Sequence, residues 1–383
     1  MKICVGATLP LPGEPINAGI TSTCIRVSNA IKKNYPNVSI EFISHTMKNL
    51  KESFTGNYEG FLVHYIPSQR PQIGPKWVRD WKTVKDKILE QDYDIVWSNS
   101  TASAFGGINA KKKTIYTVHG IIWQERKFYS YIYFFRERVE KNLQEFFLPM
   151  IFRNVDGVIA ISEYNRVHTL KHGLSHPRFI SVDTPIDYIY FEQSSIKEAA
   201  TPLILCVGTI SSRKNQLSLA KACRIIKRKL KEFKIIFAGR CASSGYYAEI
   251  VNEIKRGELE KNVEFLRPTD KELKDLYHRA WVFCLPSFDE SLGLPVVEAM
   301  ASYKPVVVSN TSGLPYTTEN GKCGYLVDPT NPSEIANAII RLIKSEELRK
   351  KFGMEGRKIA ERRFHPDIAA KKYMKFFEET LCL

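Results

Sequence analysis

Pro286-Ser287-Phe288-Asp289-Glu290-Ser291-Leu292-Gly293-Leu294-Pro295-Val296-Val297-Glu298-Ala299-Met300-Ala301 sets two glutamates on either side of a glycine-proline turn. An apolar run, Ala280 to Leu285, precedes the stretch and a helix-compatible segment follows it, so it reads as strand, loop and helix start. Pro295 suits the first helical position, where its missing N–H is not needed, and the amides around it have no intrahelical partner. Such a helix start attracts an anion, a phosphate or diphosphate. Two carboxylates beside a bound phosphate would repel it. Each is better suited to accept hydrogen bonds from neutral hydroxyls of a ligand that also carries the phosphate, as a sugar nucleotide does.

Outward from this stretch the chain alternates short β-rich runs with longer helical segments. Ile3 to Ala7, Ile40 to Ser44, Phe61 to Ile66, Ile95 to Ser98, Thr114 to Val118 and Val158 to Ile161 are strand candidates in the first half. A polar connector, Glu192 to Thr201, interrupts the pattern. The alternation restarts with Leu203 to Val207, Lys234 to Ala238, Val263 to Leu266, Val282 to Leu285, Val306 to Ser309 and Tyr325 to Val327. The expectation is an α/β chain of two doubly wound, Rossmann-like domains. In open parallel sheets ligands sit beyond the carboxyl ends of the strands, so two such domains facing one another would form a cleft.

Other strand ends carry candidate ligand groups. Gly208-Thr209-Ile210-Ser211-Ser212-Arg213-Lys214-Asn215 leaves a strand and enters a helix. Lys214 and Arg213 there can neutralise a diphosphate, one as a point charge and the other as a fork. A solvated pair is the plainer reading, but cations oppose the dipole at a helix start unless an anion is present. Thr117-Val118-His119-Gly120 sets a histidine at a strand end, suited either to a ligand or to a structural hydrogen bond. Gly19, in Asn17-Ala18-Gly19-Ile20-Thr21, would let backbone amides approach a ligand, and Gly239-Arg240 ends a further strand. Ser162, in Ile161-Ser162-Glu163, reads as a helix N-cap.

The pattern Pro-Ser-x-x-Glu-Ser-x-Gly-Leu-Pro-x-x-Glu-Ala-Met-Ala resembles the signature of retaining glycosyltransferases of the group 1 type with GT-B architecture, which include bacterial mannosyl- and glucosyltransferases. The resemblance implies an acceptor-side domain over 1–192, a donor-binding domain over 193–364, and a final helix over 365–383 that packs back on the first domain. It implies a nucleoside-diphosphate sugar (GDP-, UDP- or dTDP-hexose) as donor substrate, with no cofactor and no metal. His119, Glu290 and Lys214 are the catalytic candidates it implies. The donor-binding candidates are Gly19, Gly208, Arg213, Lys214, Arg240, Ser291, Leu292, Gly293, Leu294 and Glu298. The arginine often found directly after the strand-end glycine is Thr209 here, with Arg213 as its substitute, and Tyr316 replaces an acid after Gly313-Leu314-Pro315. The implied activity is retaining transfer of a hexose, mannose by mild preference, to a glycan or lipid-linked acceptor. A non-catalytic sugar-nucleotide-binding scaffold and a synthase acting on a small sugar phosphate are the alternatives.

Composition sets the remaining bounds. At 383 residues the chain can hold two cores, and 44% hydrophobic with 25% charged residues describes an ordinary globular protein. No apolar run approaches the roughly 20 residues of a membrane span, and the default location is cytoplasmic. The cysteines lack Cys-x-x-Cys spacing, as expected of reduced thiols. The net charge of +15 is partly concentrated in Lys111-Lys112-Lys113, Lys127, Arg136, Arg138, Lys141 and Arg153. These interleave with Trp123, Phe128, Tyr129, Tyr131, Tyr133, Phe134 and Phe135, which suits either a peripheral anionic membrane surface at the inner face or a charged helix over a buried aromatic stripe. Specific nucleic-acid binding has no supporting motif.

Overall fold

The structure, a computed structural model, describes residues 1–16, 19–46, 50–67, 76–121 and 135–382. The chain divides into two compact units, Met1–Pro185 with Pro366–Leu383, and Ile186–His365.

The first unit is built on an eight-stranded sheet of β1 (Lys2–Gly6), β2 (Ser39–Thr46), β3 (Phe54–Tyr58), β4 (Phe61–Pro67), β5 (Ile95–Ser98), β6 (Lys113–Val118), β7 (Gly157–Ala160) and β8 (Phe179–Ser181). Their order is β3-β4-β2-β1-β5-β6-β7-β8. All neighbours pair parallel except β3 with β4. The parallel strands are short apolar runs because helices cover both faces; Ile3, Cys4, Val5, Ile95, Val96 and Trp97 are fully buried. The edge strand β3 escapes the sequence pattern, since Gly56-Asn57 breaks its β-rich character, although its partner β4 follows the expected run Phe61 to Ile66. Its turn is the two residues Glu59 (φ 52°) and Gly60 (φ 79°), both left-handed, which matches the twist of a two-residue hairpin. Counting outward from β1, the strand order reverses between β1 and β5.

The last helix, Pro366–Leu381, belongs to this unit although it is farthest away in sequence. Tyr373 and Phe377 lie 4.9 and 6.0 Å, ring to ring, from Trp97. The Trp97 indole N–H donates to Thr117 Oγ1 at 2.7 Å, so a large aromatic is buried without an unmet donor. Arg178 closes the far end, donating to the Glu379 carbonyl at 3.0 Å.

The second unit carries a six-stranded, all-parallel sheet of β9 (Leu203–Val207), β10 (Lys234–Ala238), β11 (Val263–Leu266), β12 (Val282–Leu285), β13 (Val306–Ser309) and β14 (Gly324–Val327). Its order, β11-β10-β9-β12-β13-β14, reverses between β9 and β12. The connector before β9 is docked rather than free. Glu198 meets Lys304 at 3.3 Å and Arg349 at 3.6 Å, while the Arg357 guanidinium donates to the carbonyls of Tyr190 (3.2 Å), Phe191 (2.8 Å) and Ala301 (2.7 Å). The eight cysteines are free, and six of them are buried.

Phe377→Ala removes a fully buried ring from the first unit and is expected to cost about 3–5 kcal/mol there. Denaturant unfolding followed by near-UV circular dichroism should show one transition moving and the other staying. Equal movement of both would contradict separate cores.

Candidate functional site

In the second unit the loops leaving β9 and β12 meet where the strand order reverses, the place where a doubly wound sheet leaves a crevice at its carboxyl edge. After Gly208 the β9 loop makes a tight turn, Ser212–Lys214, and passes through Asn215 in the left-handed region (φ 56°) before the helix Gln216–Lys229. Asparagine tolerates that conformation, and here its side chain also stitches loops together. Asn215 Nδ2 donates to the carbonyls of Pro286 (3.0 Å) and Pro329 (2.7 Å). The turn buries Lys214, whose Nζ donates to Glu290 Oε1. Ser287 Oγ donates to the same oxygen at 3.0 Å, and Arg213 Nη1 lies 3.7 Å from Glu290 Oε2 while donating to the Asp289 carbonyl at 2.7 Å.

Burial alone would raise the Glu290 carboxyl. The charges of Lys214 and then Arg213, with hydrogen bonds from Lys214 and Ser287, outweigh it and hold the group below the usual carboxylate range. This revises one sequence argument. A cation pair at a helix start was expected to need an external anion, yet Glu290 supplies one from within the chain.

The helix Leu294–Ala301 begins one residue before Pro295, which therefore sits second rather than first. Gly293 caps it at φ 73°, in the left-handed region that favours glycine, and a Cβ there would come within 2.7 Å of Leu314 Cδ2. The loop after β13 clasps this turn. Glu290 N donates to Ser312 Oγ at 3.0 Å, Gly313 N donates to the Glu290 carbonyl at 2.8 Å, and a Cβ on Gly313 would stand 2.3 Å from the Ser291 carbonyl oxygen. Thr317 Oγ1 donates to the Leu292 carbonyl at 2.6 Å. Within the first turn Val296 N and Val297 N donate to the Gly293 carbonyl at 2.8 and 3.4 Å and Pro295 has no N–H, so Leu294 carries the amide for which the helix itself supplies no carbonyl. Glu298 is buried on the same helix and accepts from the Tyr277 hydroxyl at 2.7 Å. Tyr277, on the helix Asp270–Arg279, is raised well above its ordinary pKa by burial and by the nearby Glu298 charge, so its proton stays in place. Arg240 is exposed at the end of β10, and its carbonyl accepts from Ile210 N at 2.8 Å.

The first unit holds the other candidates. His119 directly follows β6, and its Nε2 lies 2.7 Å from Oδ1 of Asn99, the residue after β5. Burial lowers the imidazole pKa to about 4, leaving the ring neutral at pH 7. Gly19 is the exposed first residue of the helix Gly19–Asn34, and among the described residues a Cβ there would meet nothing within 4 Å. Ser162 is an N-cap, accepting from Asn165 N at 3.1 Å. Asn17-Ala18 and the segment holding Trp123, Lys127, Phe128, Tyr129, Tyr131, Tyr133 and Phe134 lie outside the described residues, as do the side chains of Phe135, Arg136, Arg138 and Lys141. Among the described residues no helix is long and apolar enough to cross a membrane.

Lys214, Arg213 and Glu290 are thus brought together beside Ser291 to Leu294, with Glu298 behind them on the same helix, while His119 and Gly19 belong to the other unit. Sequence reasoning missed Ser287, Ser312, Gly313, Tyr277 and Asn99. Ser287 and Gly313 stand inside quoted patterns without a role of their own, while Ser312, Tyr277 and Asn99 reach their partners from a neighbouring loop, helix or strand.

The family described as Glycosyl transferases group 1 matches residues 190–359, and Glycosyltransferase Family 4 matches residues 25–188. The chain is 28% identical over 237 residues to a D-inositol 3-phosphate glycosyltransferase of Corynebacterium kroppenstedtii, a match covering 57% of this chain and 52% of that one. It therefore spans about half the length of that relative. An uncharacterized glycosyltransferase of Methanocaldococcus jannaschii is 24% identical over 385 residues, covering 98% of this chain and 99% of its own. Among solved structures, HepE of Anabaena in complex with UDP and glucose superposes with a TM-score of 0.76 at 20% identity over 99% of each chain, a likeness of fold. Together with the two parallel-dominated sheets, these matches establish a two-domain Rossmann-like GT-B fold.

Glu290→Gln should cost about 3–5 kcal/mol at neutral pH, because it leaves a buried ammonium without its counter-charge. The folded pKa of Glu290 lies below its unfolded value, so the contribution is present above the ordinary carboxylate pKa and lost as pH falls through the folded one. Denaturant melts of wild type and variant should therefore converge toward acid. A gap that persists or widens there would contradict the pairing.

Proposed function

We propose that this chain, which belongs to the group 1 glycosyltransferases of GT-B architecture, transfers a hexose from a nucleoside-diphosphate sugar to a hydroxyl acceptor with retention at the anomeric carbon. The observation that carries this reading is the meeting of Lys214, Arg213 and Glu290 beside the helix start at Gly293-Leu294. A transferring hexose develops positive charge on the sugar while negative charge grows on the departing diphosphate. Lys214 has three N–H donors and commits one to Glu290, so the others can follow the phosphate oxygens. Arg213 and the amides of Ser291, Leu292, Gly293 and Leu294 add preorganised donors to the same charge. In this proposal the lysine, arginine and amides, rather than a divalent ion, carry the leaving group.

Glu290, held ionised, accepts hydroxyls of the sugar, and Glu298, steadied by Tyr277, accepts those of the ribose. His119 receives a sugar hydroxyl. Gly208, Arg240 and Gly19 line the nucleotide and phosphates. We assign the donor to residues 193–364 and the acceptor to residues 1–192, with the helix over 365–383 completing the latter. Mannose is the favoured hexose, with GDP, UDP or dTDP as carrier; UDP has the support that a fold neighbour binds it. A growing lipid-linked glycan at the inner face of the membrane is the favoured acceptor, suggested by the basic, aromatic segment around residues 111–153. A second reading, transfer to a small cyclitol or sugar phosphate, is favoured by the D-inositol 3-phosphate glycosyltransferase relative.

A screen of UDP-, GDP- and dTDP-hexoses for hydrolysis and transfer tests the activity, and product analysis separates a lipid-linked from a small phosphorylated acceptor. Lys214→Ala should lower kcat by about 10²–10³-fold, as loss of one preorganised charge donor does. EDTA should leave turnover unchanged, and NMR of the product should show the donor's anomeric configuration. Unaltered turnover in Lys214→Ala would refute the site, an inverted product would refute retention, and loss of turnover with EDTA would refute metal independence.

A further inference from the structure

Asn99 stands where the strand order of the first sheet reverses, and every polar group of its side chain has a defined role. Its backbone N–H donates to the Gly6 carbonyl at 2.8 Å, tying the end of β5 to the end of β1. Its Nδ2 donates to the Trp97 carbonyl at 3.3 Å, so Oδ1 is the atom turned toward His119. The carbonyl that orients the carboxamide is itself anchored. The Trp97 indole is fixed by Thr117 and walled by Tyr373 and Phe377.

A carboxamide oxygen only accepts, so Nε2 of His119 has to carry the hydrogen in the 2.7 Å bond. A neutral imidazole bears one N–H, and Nδ1 is then a bare acceptor. We propose that Asn99 is a positioning residue that locks His119 in the Nε2–H tautomer, so that Nδ1 recognises a hydroxyl on the neutral sugar portion of the ligand. A bare nitrogen lone pair repels phosphate, carboxylate and carbonyl oxygens, which have no hydrogen to give it. His119 therefore discriminates by chemistry as well as by place: it selects a hydroxyl and turns away the anionic part of a sugar nucleotide. This inference rests on the reading of the donor as a sugar nucleotide, but the tautomer itself does not.

The full-length chain labelled with ¹⁵N-histidine, with the His119 signals assigned by their absence from His119→Gln, decides it at pH 7. Wild type should show a proton on Nε2 and a bare Nδ1. Asn99→Ala should give a mixture of tautomers, and Asn99→Asp, which keeps an acceptor in place, should retain the Nε2 proton. A wild-type proton on Nδ1, or an Asn99→Ala protein with the wild-type tautomer, overturns the positioning role. Titration with the mannose and glucose conjugates of three carriers, UDP, GDP and dTDP, should shift the Nδ1 signal of wild type, and Asn99→Ala should lose about tenfold in kcat/KM, the worth of one hydrogen bond to a poised group. A donor that binds, seen by shifts elsewhere, without moving Nδ1 overturns the hydroxyl recognition. If none of the three binds, the sugar-nucleotide reading falls with that recognition, while the tautomer comparison still decides the role of Asn99.

Discussion

The buried pair of Lys214 and Glu290 is the contact around which the second unit arranges its loops. Removing two opposite charges from water is unfavourable unless the partners meet in good geometry and the remaining lone pairs are met. Ser287 and Arg213 meet them on the Glu290 side, and Asn215 fixes the lysine loop by bonding to the carbonyls of Pro286 and Pro329. Ser312 and Gly313 hold the Glu290 backbone from the other flank. For the diphosphate of the proposed donor, such cations would already be in position, so little of the binding free energy would go into ordering side chains.

Both sheets follow one rule with different chemistry. Where strand order reverses in the second unit, the loops after β9 and β12 present charged groups. At the corresponding reversal in the first unit, the end of β5 presents Asn99, hydrogen-bonded to the neutral His119. A charged crevice suits the ionic end of a ligand and a neutral one suits hydroxyls. The fold supplies the places and the side chains supply the discrimination.

Much of this is legible in the amino-acid sequence. Parallel strands covered on both faces must be short apolar runs, so Ile3 to Val5, Ile95 to Trp97 and Val282 to Leu285 announce themselves. The two-residue hairpin at Glu59-Gly60 did not, because its strand carries Gly56 and Asn57 and earns its place through cross-strand pairing with β4, including the stacking of Phe54 on Tyr65 at 4.8 Å. The acids and cations of the site were visible as a pattern, but their mutual pairing was not. Lys214 and Glu290 lie 76 residues apart, and the charge argument alone could not tell an internal counter-ion from a bound one. Tyr277 and Asn99 were invisible for the same reason. A tyrosine on an amphipathic helix and an asparagine after a strand have many ordinary uses, and only the fold brings them to Glu298 and His119.

The helix Pro366–Leu381 gives the chain an unusual schedule. It completes the unit that is begun first, covering Trp97 with Tyr373 and Phe377, yet it is synthesised only after the whole of Ile186–His365. The amino-terminal unit must therefore wait, with part of its core uncovered, while the whole of Ile186–His365 is synthesised and can fold. An interrupted or truncated product would carry a finished second unit beside an unfinished first one, its exposed aromatic face open to aggregation or to chaperones. The core of the amino-terminal half is thus closed only when Pro366–Leu381 docks.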